Sequence, residues 1–346
     1  MEKKERRMKT LTKKITLGLA AAAAAVSLQA QAADITLTLA HVDPQEWTTS
    51  KKGAAATVFK NLVEGESGGR IEVNVYPAGQ LGGETELLQS AQDGTLSMAM
   101  VSGPFSKLCP EAAVLEIPYL FPSAPVAWEV LDGEFGKELS QHCYEKTGLR
   151  VLAYGETGFR NFTNSKRPIQ TPSDLEGLKI RVMTTPLYVE MVKAMGGQPT
   201  PISWPEVPSA LTTGVVDGQE NPIGVIYNNK FYEMQKYLTL DGHVYGADFL
   251  VINDAIYQGL SAQDRGIIDR AAKVAGTVGR AIQQFNSAEG LTKLADEGME
   301  ITSPTAEQLA QFREAAQPAV IEWLKGEIDE AWIAKAQSAV AAATAD

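Results

Sequence analysis

DITLTLAHV (34–42), TTSKKGAAATVFKNLVEGESGG (48–69), RIEVNVYP (70–77), GGETELLQSAQDGT (82–95) and LSMAMVSG (96–103) follow one another with little between them. The first alternates Ile35, Leu37 and Leu39 with small or β-branched neighbours, a strand pattern, and the second reads as a helix stopped by glycines. Strand, helix and strand then follow in turn. Such alternation predicts βαβ units and a mostly parallel sheet. A second series starts near residue 149: GLRVLAYG (148–155), DLEGLKIRVM (174–183), a helix through MVKAMGG (191–197), a helix at SWPEVPSALTTG (203–214) and the strand-turn VVDGQENP (215–222). Ser203 and Glu206 have capping-box spacing, as do Thr305 and Gln308, and Ser261 is placed to cap a long helix over 261–285. ADFLVIND (247–254) reads as a strand, and the Ala-rich last fifteen residues are expected to fray.

The chain has 346 residues and a formal net charge of −11. The length predicts two domains. The first 33 residues hold seven Lys/Arg and two acids, so the remainder has 24 bases against 40 acids and carries −16. That field disfavours a nucleic-acid partner. A basic stretch to Lys14, the apolar run ITLGLAAAAAAVSL (15–28) and small residues Ala30 and Ala32 follow the order of a secretory signal, with cleavage expected after Ala32 or Ala33. The apolar run is short for a membrane anchor, and no other stretch reads as a span. Cys109 and Cys143 fall in the exported body, where a disulfide or two buried thiols are both open readings.

Two α/β series facing each other place the carboxyl ends of their strands around a shared cleft. Arg181 sits at such an end, in LKIRVM, and Arg160 follows the strand VLAYG in GFRN. A guanidinium offers two parallel donors to a carboxylate, so both are candidates to hold an acid; pairing with one of the protein's own acids is the alternative. Asn221, in the turn DGQENP, is either an amide donor or a turn former. Trp204 either walls a pocket or packs in the core. No HExxH, GxGxxG or Walker pattern occurs, and the GxSxG match GESGG (65–69) closes a helix ahead of a strand, the reverse of the strand-to-helix turn of a nucleophile elbow, so the sequence offers no zinc signature, nucleophile elbow or cofactor loop.

The phrases VYPAGQLGGETELLQSAQDGTLSMAM (75–100), IPYLF (117–121), GFRNFTNSKRPIQTPSDLEGLKIRV (158–182), GGQPTPISWPEVPSALTTGVVDGQENP (196–222) and KFYEMQKYL (230–238) resemble the substrate-binding proteins of TRAP transporters, the dicarboxylate-binding P-subunit (DctP) family. The likeness covers nearly all of the chain after the leader. It implies a two-lobed α/β periplasmic binding-protein fold with hinge strands and a long bracing helix. It also implies a monomeric periplasmic protein without cofactor or metal, which takes a small organic acid to membrane permease subunits driven by an ion gradient. By resemblance, Arg181 makes the main two-pronged carboxylate contact, Arg160 and Asn221 add to it, and Trp204 lines the pocket. Glu84 and His41 fall where relatives contact the distal part of the ligand. His243, near the crossover between lobes, reads as structural. The expected division is a signal peptide over 1–33, lobe I over 34–157 plus 246–285, and lobe II over 158–245 plus 286–340. A dicarboxylate or sugar acid is the favoured ligand. An exported enzyme acting on an organic acid and a ligand-presenting sensor protein are the alternatives.

Overall fold

The structure, a computed structural model, describes residues 33–345; the segment expected to be a signal peptide lies outside the described residues except for Ala33. The first series folds as read. Strand β1 (Ile35–His41) pairs in parallel with β2 (Ile71–Tyr76) and β3 (Met98–Val101), connected through helices α1 (Lys51–Glu66) and α2 (Glu84–Asp93). Helices α3 (Ala124–Asp132) and α4 (Glu134–Thr147) then lead into β4 (Leu149–Asn164). In the second series β5 (Lys179–Val182) lies in parallel between β6 (Gln198–Pro201) and β7 (Gly218–Asn221), with α5 (Pro186–Ala194) as the first crossover.

All of these join one sheet of order β2-β1-β3-β8-β4-β7-β5-β6, in which β9 (Glu300–Thr302) also pairs with β8 (Tyr237–Asn253). The two halves are fused by β4 and β8, which are far longer than the sequence suggested. At about 3.3 Å per residue, each runs on the order of 50 Å. Residues 249–252 of β8 pair with β3 in the first half, while residues 161–164 of β4 pair with β7 in the second. The register between β4 and β8 slips at Val151/Ala153, Glu156/Gly158 and Arg160/Phe162. Such bulges bend and twist a ribbon locally. Gly158 has φ +101°, and a Cβ there would approach Gln283 Nε2 to 2.8 Å, so glycine is required at this bend.

Helix α6 (Val207–Thr212) and the short helix α7 (Ile223–Asn228) belong to the second half, and α8 (Asp254–Gly259) precedes the 35-residue helix α9 (Ala262–Asp296). At 1.5 Å per residue α9 is about 52 Å long, enough to brace both halves. Its stripe Ala271, Ala272, Ala275, Gly276 and Gly279 is small enough to lie directly on α1 and β4, with Gly276 against the Tyr154 carbonyl. Farther along, Asn286 and Gly290 meet Gly224 and Ile223 of α7. Ser261 caps α9, and Thr305 with Gln308 forms the expected capping box of α10 (Ala306–Glu327).

Four expectations change. Arg160 does not follow a strand; it lies inside β4, whose polar run GETGFRNFTN conceals it from a hydrophobic-periodicity reading. Ser203 makes no capping bond: Trp204–Glu206 form a 3-10 turn, and α6 starts at Val207. The C-terminal alanines do not fray, because helix α11 (Glu330–Ala345) buries Trp332, Ile333, Ala336 and Val340. That helix packs on α3 and α4, so the chain leaves the second half after α10, which packs on α5. Cys109 and Cys143 form a disulfide with Cα atoms 5.4 Å apart, tying the turn before Pro110 to α4. This decides the open question between bond and thiols, and it engages the sulfur that Glu111 and His142 approach.

Candidate functional site

The carboxyl ends of β5 and β7 place two groups on one wall of a cleft between the halves. Arg181 is 2 % exposed. Its Nε and Nη2 donate to the Ile202 carbonyl at 3.0 and 2.7 Å, its Nη1 has no partner, and Trp204 lies 5.7 Å from the guanidinium. Burial pulls its pKa down to about 10, the expense of a charge held without a carboxylate. Asn221 is buried beside it, its Nδ2 donating to Gln219 Oε1 at 2.5 Å.

Arg160 comes from β4 and is held differently. Its Nε and Nη2 take the Glu220 carboxylate, Nη2–Oε1 at 2.9 Å, and Nη2 also donates to the Glu220 carbonyl at 2.7 Å. The sequence alternative of an internal ion pair therefore holds for Arg160, with Nη1 carrying no hydrogen bond among the described residues. Glu220 in turn meets His243 Nε2 at 3.2 Å, and His243 Nδ1 meets Asp241 at 2.7 Å. Phe162 stacks on the imidazole at 4.4 Å. Burial alone would strip the His243 proton, but Asp241 and Glu220 outweigh it and push the pKa up to about 9. Burial likewise works against ionised Glu220, and Arg160 and His243 overcome it, holding Glu220 below its ordinary range.

This network makes stability pH-dependent. Raising the His243 pKa from 6.5 to about 9 adds a contribution that is complete below pH 6.5 and is lost as pH climbs through 9. Urea unfolding midpoints are expected to fall across that window and to fall much less in His243→Gln; an equal decline in both proteins would contradict the assignment.

The facing wall belongs to the first half. Ser50 caps α1, and Lys51 and Lys52 in its first turn point inward. Lys51 Nζ reaches Asp248 at 2.7 Å and Asp43 at 3.3 Å. Lys52 Nζ reaches Glu84 at 2.6 Å, and Glu84 also accepts from Ser102 N at 2.9 Å. Asp248, just behind, accepts from Ser102 Oγ at 2.8 Å and from Thr157 Oγ1 at 2.6 Å. Val42, Asp43, Lys51, Lys52, Glu84, Ser102 and Thr157 share one cavity with Arg160, Arg181, Met183, Trp204, Asn221 and Val225. The space between the walls is only about 40 Å³, room for a few waters. The lips touch: a Cβ on Gly83 would fall 2.3 Å from Ser203 Oγ, and the Thr49 carbonyl accepts from Asn228 and Asn286 at 2.6 Å each. A larger groove of about 440 Å³ lies outside, between α4 and α9, but its arginines are already paired, Arg280 with Asp132 and Arg150 with Asp254.

The model of the DctP family, described as bacterial extracellular solute-binding protein family 7, matches residues 40–326. The chain belongs to this family. A 2,3-diketo-L-gulonate-binding periplasmic protein of Escherichia coli is 34 % identical over 254 residues, 73 % of this chain and 77 % of that one. Among solved structures, a TRAP periplasmic solute-binding protein from Bordetella, with density assigned as pantoate, is 37 % identical. It superposes with a TM-score of 0.82, covering 88 % of this chain and 98 % of its own. The sugar-acid-binding protein from Advenella mimigardefordensis in complex with galactonate is 31 % identical with a TM-score of 0.85, covering 89 % and 98 %. The two-lobed α/β architecture is that of these family 7 proteins.

Of the six residues singled out in the sequence, Arg160, Arg181, Asn221, Trp204 and Glu84 line the cavity of this family 7 chain. His41 does not: it is fully buried behind the first wall, with Nε2 on Gln45 at 3.1 Å, Nδ1 unpartnered, and burial lowering its pKa. Lys51, Lys52, Asp43, Ser102, Thr157 and Asp248 escaped the sequence reading. One signal was present: two lysines in the first turn of a helix oppose its dipole, an unfavourable placement that buried acids here offset.

Proposed function

We propose that this chain is the periplasmic capture subunit of a TRAP transporter, taking up a small organic acid between its lobes and handing it to ion-gradient-driven permease subunits. Arg181, Arg160 and Asn221 form the acid-binding wall, Trp204 closes its side, and Glu84 faces the ligand's far end. His41 takes a supporting place behind the first wall rather than a ligand contact. The observation that carries the reading is Arg181 Nη1, a charged donor buried with no partner in a cavity between two lobes. Such a group is expensive unless something else fills its place, and an organic carboxylate supplies the matching acceptor.

The bulges of β4 and β8 are the natural hinges for admitting a ligand larger than the present cavity, and closure strengthens every contact by excluding water. In this reading no covalent bond is made or broken. Sugar acids, hydroxy acids and dicarboxylates are the classes to screen, given relatives named for 2,3-diketo-L-gulonate, pantoate and galactonate. A thermal-shift screen of these acids should give a clear rise in melting temperature for a narrow subset, because a ligand at about 100 times its Kd adds about 2.7 kcal/mol. Failure of every such acid, with neutral sugars or cationic solutes stabilising instead, would overturn the reading. Conversion of the bound acid to a new compound on incubation would favour the enzyme alternative.

A further inference from the structure

The cavity's charges are distributed unevenly between its two walls. On the second-lobe wall, Arg160 is neutralised by Glu220 and protonated His243 by Asp241, leaving Arg181 as an uncompensated cation. On the first-lobe wall, two ammonium groups, Lys51 and Lys52, face three carboxylates, Asp43, Glu84 and Asp248. Lysine attraction outweighs burial for Asp43 and Asp248 and holds both below the ordinary carboxylate range. The nearby imidazole of His41 has its pKa lowered, so it adds no cation at neutral pH. Glu116, buried behind the lobes with Oε2 unpartnered, adds negative charge in proportion to its ionisation. With Glu116 protonated, the second-lobe wall is positive by one charge and the first-lobe wall negative by one; ionisation of Glu116, beside Arg160, trims the positive excess.

Resting on the capture reading above, we propose that the first-lobe wall is a specificity filter that admits monocarboxylates bearing hydroxyl groups and rejects dicarboxylates. The single carboxylate of such a ligand neutralises Arg181. Its hydroxyls donate to Asp43 and Glu84 and accept from Lys51 and Lys52, an exchange in which every partner already present finds a matching group. A second carboxylate would instead enter beside an excess of acid in a water-poor space, where like charges cost heavily. This divides the two ligand classes that the sequence left side by side.

The test uses matched pairs that differ only in oxidation of the terminal carbon: D-erythronate with meso-tartrate, L-threonate with tartrate, and galactonate with galactarate. All are fully ionised at neutral pH. Calorimetric titration of the full mature chain should show the tighter-binding monoacid ahead of its diacid partner by about 100-fold or more. Glu84→Gln, and independently Asp43→Asn, each remove one negative charge from the filter and should narrow the gap by about tenfold. A diacid binding as tightly as its monoacid partner, with Arg181→Lys weakening both, would overturn the filter while leaving the capture reading intact. Arg181→Lys leaving affinities unchanged would overturn the capture reading. Failure of all six compounds to bind would retire the filter, since it requires a hydroxylated monoacid.

Discussion

Replacing Arg181 by Ala is expected to weaken acid binding by about 2–4 kcal/mol, roughly 30- to 700-fold. The loss comes from leaving a desolvated ligand carboxylate without its charged donor. Arg181→Lys should lose most of the same energy, because an ammonium cannot span both the Ile202 carbonyl, which now holds Nε and Nη2, and a ligand at Nη1. The empty protein should behave in the opposite sense. Arg181 is buried with one orphaned nitrogen and a pKa pulled down to about 10, so its removal relieves a desolvation penalty. Titration calorimetry paired with urea unfolding of the ligand-free variant separates the two effects. Unchanged affinity in Arg181→Ala would remove this residue from the site.

Glu220→Ala is expected to cost about 3–5 kcal/mol of folding stability, the range for removing one partner of a buried ion pair. Glu220 holds Arg160 through two nitrogens and His243 through a third contact, and none of the three is more than 1 % exposed. Its loss leaves a buried guanidinium without its carboxylate, held by the main-chain carbonyl of residue 220 and lying 5.3 Å from the Tyr188 ring. Glu220→Gln keeps the shape and one acceptor, so it should fall between wild type and Ala. A loss below about 1 kcal/mol in Glu220→Ala would mean that Arg160 is solvated or paired otherwise. Because β4, β7 and β8 meet at this cluster, the same change should also lower ligand affinity by releasing Arg160 and Asn221 from their fixed positions.

Much of the fold was legible because it rests on local signals. Ile35, Leu37 and Leu39 announce β1 by alternation, and Thr305 with Gln308 announces α10 by reciprocal capping. The crossing strands were only half legible. Residues 156–164 of β4 and 237–246 of β8 carry Glu156, Arg160, Asp241 and His243, polar groups that strand patterning assigns to loops. They are buried because partners from other elements satisfy them: Glu220 of β7 holds Arg160 and His243, the Phe162 N–H of β4 donates to Asp241, and Trp128, Tyr245 and Gln284 donate to Glu156, a condition that no window along a single strand can reveal. Ser203 shows the reverse error: its spacing to Glu206 is right for a cap, yet Pro205 follows and the lip contact with Gly83 takes its place.

The second-lobe wall was legible for the same reason as the parallel strands, since Arg181 and Asn221 are strand-end residues. The first-lobe wall was not. Lys51 and Asp248 are separated by nearly 200 positions and meet only because α1 docks beside β8. The chemistry of that wall is a property of tertiary packing, apart from the small anomaly of lysines at a helix start.

The most direct test of the account is a crystal structure with the tightest-binding acid from the screen. The account predicts that the ligand carboxylate sits on Arg181 Nη1 with Asn221 beside it, while Arg160 keeps its bond to Glu220. Finding Arg181 Nη1 still without an acceptor, and the carboxylate on Lys51 or Lys52 across the cleft, would contradict it.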